Sequence, residues 1–185
     1  LYAGHLCESE LTAEQVRRFS EKTLSRLNHL DQQIKDMLIF VKGDVKLTDT
    51  LSVKDLLAQL ETAMELPVSN GQLVYQINNL CQQAAIQCNS DSMVGALMNL
   101  VNNAIQSRNG VVEVKIEVRS LAAGQLQIAL MDDGPGIDEA VLNNLQEPFF
   151  TTKSQGTGLG LAVVRAVVQA HHGQFELRSA LGQGT

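Results

Sequence analysis

Two asparagines, Asn99 and Asn103, are the first residues whose type and spacing could do chemistry. They lie four positions apart in a segment with helical hydrophobic periodicity, so both carboxamides lie on one side of the predicted helix. Carboxamide oxygens are hard, neutral ligands of the kind that Mg²⁺ accepts together with substrate phosphates. Alone, the same spacing more often marks a solvated helix face, so the metal interpretation depends on the residues that follow.

Residues 132–137, with the sequence DDGPGI, place a carboxylate at the end of a predicted strand. The carboxylate of Asp132 can accept a hydrogen bond from the exocyclic amine of adenine, whereas guanine presents a carbonyl oxygen at that position. Gly134 and Gly136 permit positive φ and a close approach of the backbone. A simple turn at Asp133 is the alternative, but the complete string favours a turn that binds a base.

A glycine-rich segment, residues 156–161 with the sequence GTGLGL, leads into another predicted helix. Backbone N–H groups at a helix N-terminus favour anions such as phosphate. Nineteen residues separate Gly136 from Gly156, which is enough for a loop that closes over a nucleotide as a lid. Lys153 in this loop can reach a terminal phosphate, and a solvated lid charge is an equally open interpretation.

The order of these motifs is more informative than any one of them. Residues 99–104, 132–137, 147–153 (EPFFTTK) and 156–161 follow one another within about sixty residues. Together they predict one nucleotide pocket with a metal ligand, a base-recognising carboxylate and a phosphate loop. Walker-type and Rossmann nucleotide binders differ, because their glycine loop follows the first strand.

The four motifs resemble the N, G1, F and G2 boxes of the sensor histidine kinases of two-component signalling. These kinases belong to the wider GHKL superfamily, which includes gyrase, the Hsp90 chaperones and MutL. Residues 182–185 resemble a further glycine box, and the resemblance covers nearly the whole chain. The sequence of residues 147–153 is typical of kinases related to the nitrogen-regulation sensors. A weaker resemblance points to a flagellar regulatory sensor kinase.

The resemblance implies ATP and Mg²⁺ as cofactors. It assigns Asn103 as the Mg²⁺ ligand, places Asn99 close to the phosphates and gives Asn103 and Lys153 catalytic roles. Gln106 stands where the family often has a basic residue, which leaves one phosphate contact in doubt. The complete set of expected binding residues is Asn99, Asn103, Asp132, Gly134, Gly136, Ile137, Thr152, Lys153, Gly156, Thr157, Gly158, Leu159, Gly160 and Thr185.

The implied activity is transfer of the ATP γ-phosphoryl group to a histidine and then to an aspartate of a response regulator, of the sigma-54 activator type. Two alternatives stay open at this point. One is an ATP-gated conformational ATPase of the chaperone or mismatch-repair type, and the other is a non-catalytic dimer scaffold. The amphipathic helix before the pocket and the FFTTK lid favour the kinase, and retention of the nucleotide residues opposes the scaffold.

Residues 12–42 are predicted to form one long amphipathic helix, capped by Thr12 with Gln15 and ended by Gly43. Its apolar stripe predicts a helical bundle partner, and the resemblance implies a homodimer through a helical hairpin. Residues 1–43 are therefore interpreted as part of that hairpin, and residues 44–185 as the catalytic ATP-binding domain, truncated at its C-terminal end. His5 is not in the sequence context of an acceptor histidine, whose motif is expected before Leu1, so we expect no autophosphorylation of this sequence.

The remaining patterns predict an α+β fold, a two-layer sandwich of the Bergerat ATP-binding type. Helices are predicted over 52–65, where Pro67 ends the helix, and over 91–107 and 160–170. Strands are predicted over 72–77, 111–119, 125–131 and 174–179, with a short edge strand at 44–49. His171 and His172 are expected to mark a helix C-terminus.

Composition narrows the class further. The net charge of −6 argues against nucleic-acid binding, and 44% apolar residues with no long apolar run are typical of a soluble domain without a membrane segment. Three cysteines without metal spacing are expected to be free thiols in a reducing compartment, so we expect a cytoplasmic location.

Overall fold

The computed structural model describes residues 11–42, 45–145, 147–151, 153 and 157–185. Its secondary structure alternates helices with short strands. The helices are α1 (Ala13–Lys42), α2 (Val53–Ser69), α3 (Ser90–Ile105), α4 (Glu139–Asn144) and α5 (Gly160–Ala170), with a 3₁₀ turn at Ala122–Gly124. The strands are β1 (Asp49–Ser52), β2 (Leu73–Asn79), β3 (Ala85–Cys88), β4 (Val112–Ser120) and β5 (Leu126–Asp132).

The main sheet has three strands in the order β2-β4-β5, and it is mixed. Strand β2 runs parallel to β4, whereas β4 and β5 are antiparallel. A separate antiparallel pair joins β1 to β3. The register pairs Val114 with Asp132, which places the carboxylate of Asp132 at the end of the sheet. The predicted α+β fold is confirmed.

One face of the sheet and two helices form the main hydrophobic core. Alternate residues of β4 are fully buried, as expected for a strand with one face on a core. Helix α2 covers this face with the predicted stripe, and α3 contributes a second row. The largest buried side chains include Leu56, Leu60, Met64, Leu73, Ile116 and Val101.

A smaller apolar cluster fixes α5 beside α3. Ala96 of α3 packs with Val163, Val164 and Val167 of α5, and all four side chains are buried. This packing determines the site, because it brings the N-terminus of α5 next to the outer face of α3.

Helix α1 begins with the predicted capping box. The Gln15 side chain accepts from the Thr12 backbone N–H at 2.9 Å, and the Thr12 hydroxyl accepts from the Gln15 N–H at 3.2 Å. The predicted stop at Gly43 and residues 1–10, including His5, lie outside the described residues. A row of apolar side chains along α1 is exposed: Val16, Leu24, Leu27, Leu30, Ile34, Met37, Leu38 and Val41.

Two predicted boundaries near β1 and α2 are wrong. Helix α2 continues to Ser69 with Pro67 inside it. Proline removes its own N–H from the ladder. The last turn still closes, because the Asn70 N–H donates to the Leu66 carbonyl at 3.0 Å. The edge strand expected over 44–49 is found later, at Asp49–Ser52, because Asp49 is the first residue that pairs with β3.

The strand predicted over residues 174–179 does not form. Within the described residues, β5 pairs only with β4, so its other edge has no ladder partner. Phe175 instead packs on the cluster between α3 and α5, with the Arg165 guanidinium 5.9 Å from its ring centroid. The alternation of exposed and partly buried side chains that the sequence predicts is present over residues 174–179, but no backbone ladder accompanies it.

Candidate functional site

A cleft of about 2110 Å³ is lined by α3, by β5 along its length, by the start of α5 and by the segment that follows α5. Most of the binding residues predicted from separate motifs line it. Those lining the cleft are Asn99, Asn103, Asp132, Gly136, Ile137, Lys153, Thr157, Gly158, Gly160 and Thr185. Gly134 and Leu159 lie behind this lining, and Thr152 and Gly156 are outside the described residues.

Helix α3 turns its two asparagines toward the start of α5. Val101 and Leu97 bury the opposite face in the core, and the Asn89 side chain caps the helix by accepting from the Ser92 N–H at 2.9 Å. A Cβ on Gly160 would lie 3.9 Å from Asn99 Cγ and 4.0 Å from Asn103 Nδ2. The asparagine face and the helix N-terminus therefore form one wall of the cleft.

Asn99 carries a buried donor without a partner. Its Nδ2 atom is the one buried side-chain nitrogen or oxygen of the described residues that has no hydrogen bond. Leaving such a group unpaired costs about 1–3 kcal/mol. An acceptor such as a phosphate oxygen would satisfy it if the side chain turned its amide toward the cleft.

Lys153 brings a positive charge to the metal-ligand position predicted from the sequence. Its ammonium Nζ donates to Asn103 Oδ1 at 3.2 Å and to Gln106 Oε1 at 3.0 Å. Burial lowers the pKa of Lys153, since desolvation disfavours the charged amine. The Asn103 oxygen thus already accepts from a cation, and Gln106, which the sequence left in doubt, takes part in holding it.

Asp132 is held at the end of β5 by backbone groups. Its Oδ1 atom accepts from the Gly134 N–H at 2.8 Å, and its own N–H donates to the Thr185 carbonyl at 2.9 Å. Among the described residues, Oδ2 has no hydrogen-bond partner, and Asp132 lines the cleft. One carboxylate oxygen is therefore available to an amine from a ligand.

Close backbone contacts explain the glycines around Asp132. Gly136 has φ +73°, and a Cβ there would overlap the Ala180 carbonyl. Gly184 has φ +78°, and a Cβ there would overlap the Asp132 carbonyl. The two glycine boxes are consequently packed backbone against backbone.

Ser179 is a residue that the sequence analysis missed. Its hydroxyl accepts from the Ile137 N–H at 2.9 Å and donates to the Gly184 carbonyl at 2.8 Å, and it lies 3.0 Å from Thr185 Oγ1. These contacts join the turn after β5 to the C-terminal glycine box. No local signal marks the role, because the partners lie up to 42 residues away.

The phosphate-loop region closes against the start of the lid. Gly158 has φ +68° and packs on the Phe149 backbone, whose N–H donates to the Gly158 carbonyl at 3.2 Å. Phe149 itself has φ +69°, and its ring meets Phe40 of α1 edge-on with 5.9 Å between centroids. Phe149 thereby ties the segment before Gly158 to helix α1.

His171 marks the end of α5, as the sequence predicts. Its Nδ1 atom lies 2.7 Å from the Val167 carbonyl, and its Nε2 atom accepts from the Asn89 N–H at 3.1 Å. Both contacts are satisfied by the neutral tautomer with the proton on Nδ1. His171 therefore links the end of α5 to the cap of α3.

The residues present fit a magnesium-bound nucleotide. Within the described part of the chain, no cluster of three His, Cys, Asp or Glu side chains could hold a metal alone. Mg²⁺ commonly takes one or two protein oxygens and completes its shell with phosphates and water. Asn103 Oδ1, the buried Asn99 donor and the helix N-terminus at Gly160 supply that combination.

Comparison with known proteins identifies the family. Residues 88–185, more than half of the chain, match the family described as histidine kinase-, DNA gyrase B-, and HSP90-like ATPase. The chain belongs to this family. Sensor protein kinase FleS of Pseudomonas aeruginosa strain PAO1 is 44% identical over all 185 residues, which span 45% of its length. The resemblance to sensor histidine kinases is confirmed, and the flagellar assignment stays a prediction.

Two solved structures share the fold. Full-length ShkA in complex with AMPPNP has a TM-score of 0.75 and 23% identity, over 95% of this chain and 38% of that one. Histidine kinase ThkA in complex with the response regulator protein TrrA has a TM-score of 0.62 and 19% identity, over 99% of this chain and 52% of that one. No helix among the described residues is long and apolar enough to cross a bilayer.

Proposed function

We propose that this chain is the ATP-binding catalytic core of a sensor histidine kinase. It transfers the γ-phosphoryl group of ATP to a histidine on a dimerisation helix, from which the group passes to an aspartate of a response regulator. The observation that carries the proposal is the single cleft lined by Asn99, Asn103, Asp132 and Gly160. Residues from separate motifs line the same volume.

Each group in the cleft has a distinct role in this proposal. Asp132 accepts from the adenine amine, and backbone N–H groups near Gly160 receive phosphate oxygens. Asn103 would hold Mg²⁺ through Oδ1 once the Lys153 ammonium, which that oxygen accepts from here, moves to the phosphates. Lys153 lies close enough to Asn103 to neutralise charge that develops on the transferred group. Magnesium-bound ATP supplies the phosphoryl group, so the protein contributes mainly position and electrostatics.

The partners follow from the same proposal. The exposed apolar row on α1 is the surface through which residues 1–43 dimerise, while residues 44–185 form the catalytic domain. The similarity to ThkA, whose structure contains a response regulator, supports a regulator as the acceptor protein. We infer a regulator of the sigma-54 activator type and a cytoplasmic site of action.

A labelling experiment tests the proposed activity. The 185-residue chain, incubated alone with γ-labelled ATP, is expected to remain unlabelled. Mixed with a longer version that includes the upstream histidine and carries Asn103→Ala, it is expected to label that partner. The 185-residue chain carrying Asp132→Asn is the control and should transfer little label. Acid-labile label on the chain alone that disappears in His5→Ala would show that His5 is an acceptor, contrary to the proposal.

A further inference from the structure

Arg108 lies after α3, outside the four motifs, and reaches the turn that carries Asp132. Its Nη1 atom donates to the Asp133 carbonyl at 3.1 Å and to Asp133 Oδ2 at 2.9 Å. We propose that Arg108 and Asp133 are positioning residues, which orient the Asp132 carboxylate for recognition of the adenine 6-amino group. The inference rests on the proposed function, because it concerns the base-binding end of the same cleft.

One peptide unit transmits the effect of Arg108 to Asp132. Arg108 binds the carbonyl of the Asp133–Gly134 peptide, and the N–H of that peptide donates to Asp132 Oδ1 at 2.8 Å. A peptide unit is planar, so a fixed carbonyl also fixes the direction of its N–H. Arg108 thereby fixes the orientation of the Asp132 carboxylate. One of its oxygens accepts from the Gly134 N–H, and the other is left for the ligand.

Asp133 is held from its other side by β4. Its Oδ1 atom accepts from the Glu113 N–H at 2.8 Å, and its own N–H donates to the Glu113 carbonyl at 3.1 Å. Both carboxylate oxygens, the backbone N–H and the carbonyl of Asp133 are thus bonded within the protein. Asp133 therefore serves to support the turn, whereas Asp132 keeps one oxygen open to the cleft.

The end of α3 packs directly on this turn. A Cβ on Gly134 would lie 2.6 Å from Ser107 Oγ and 2.5 Å from Asp132 Oδ1, so a larger residue would displace these side chains. The Ser107 hydroxyl donates to the Ala104 carbonyl at 2.7 Å, which fixes it to the last turn of α3. Arg108 and Ser107 thus connect the end of α3 to the turn that carries Asp132.

The experiment compares two nucleotides that differ only at the 6-amino group. ATP and purine riboside triphosphate, which lacks that amine, compete with a fluorescent ATP analogue for the 185-residue chain and for Arg108→Met. The Arg108 and Asp133 side chains are 39% and 46% exposed, so solvent weakens their pairing. We expect Arg108→Met to weaken ATP binding about threefold, within the range of a partly exposed ion pair. Binding of purine riboside triphosphate should not change.

Two further variants sharpen the comparison. Arg17→Met removes an arginine paired with Glu21 at 3.9 Å on α1, away from the cleft, and should change neither affinity. Asp133→Asn keeps the size of the side chain but removes its charge, and should reduce the preference for ATP in the same direction as Arg108→Met. Thermal unfolding of each variant confirms that the chain remains folded.

The possible outcomes separate this inference from the proposed function. If Arg108→Met weakens both nucleotides equally, Arg108 only stabilises the fold and the inference is refuted while the proposed function stands. If the unsubstituted chain binds both nucleotides equally, Asp132 does not recognise the amine, and the base-binding part of the proposed function fails as well. The inference is supported if Arg108→Met and Asp133→Asn both reduce the preference for ATP while binding of purine riboside triphosphate is unaffected.

Discussion

Gly136→Ala provides a quantitative test of how the turn that we propose to bind the base is packed. Gly136 has φ +73°, and a Cβ there would overlap the Ala180 carbonyl oxygen. Gly124 also has φ +73°, but a Cβ there would meet no atom within 4 Å. The two glycines therefore share the same φ, and the close contact is present only at Gly136.

The expected magnitudes follow from that comparison. An L-residue in the left-handed region costs about 1–2 kcal/mol, and this cost applies to both Gly136→Ala and Gly124→Ala. Any gain from a less flexible unfolded chain is also common to both variants and cancels in the difference. Overlap in a packed region adds about 1–3 kcal/mol at position 136 alone. For a domain of this size, that extra loss lowers Tm by about 2–12 °C relative to Gly124→Ala.

Urea unfolding followed by circular dichroism measures both free energies of unfolding, and a fluorescent ATP analogue measures the affinity. Gly136→Ala should unfold at lower urea and bind ATP more weakly, since its turn must move away from the C-terminal glycine box. Gly124→Ala should lose stability without losing affinity. Equal free energies of unfolding in the two variants would refute the close contact with Ala180.

Three further substitutions test the cleft itself. Asp132→Asn places a donor opposite the adenine amine while the amide oxygen can still accept from Gly134, so ATP affinity should fall about tenfold to a hundredfold in a nucleotide titration. Asn103→Ala should weaken binding of Mg²⁺·ATP more than binding of metal-free ATP by calorimetry, and an unchanged Mg²⁺ dependence would contradict its role as a ligand. Burial lowers the pKa of Lys153, so the folded state binds fewer protons than the unfolded state between that lowered value and the ordinary 10.5. Stability should therefore rise with pH in this interval, and Lys153→Met should remove that slope from urea unfolding measured across pH.

The sequence predicted those elements whose signals are local. The capping box of α1, the buried stripe of α2 and the bounds of α5 all depend on residues within one or two turns, and all are found in the structure. Helix α4 was not predicted, although Asp138 caps it by accepting from the Ala140 N–H at 2.9 Å. Its six residues are too short for a clear hydrophobic period.

Long-range contacts account for what the sequence could not predict. Strand formation depends on which segments become neighbours. Strand β3 forms because it pairs with β1, whereas residues 174–179 form no ladder, and Phe175 packs on the cluster between α3 and α5. The same limit applies in the cleft. The spacing of Asn99 and Asn103 was readable from the chain, whereas the bonds of Lys153 to Gln106 and of Arg108 to Asp133 join residues 47 and 25 positions apart.

The edge-on contact between Phe149 and Phe40 couples the start of the lid to helix α1. Aromatic pairs of this kind contribute about 0.5–1.5 kcal/mol beyond the area that they bury. If movement of the lid breaks this contact, its aromatic term alone changes the equilibrium of α1 by about twofold to twelvefold. By reciprocity, a rearrangement of α1 that breaks the same contact alters nucleotide affinity through this term by the same factor. The contacts between α1 and α5 offer a second route between this helix and the cleft.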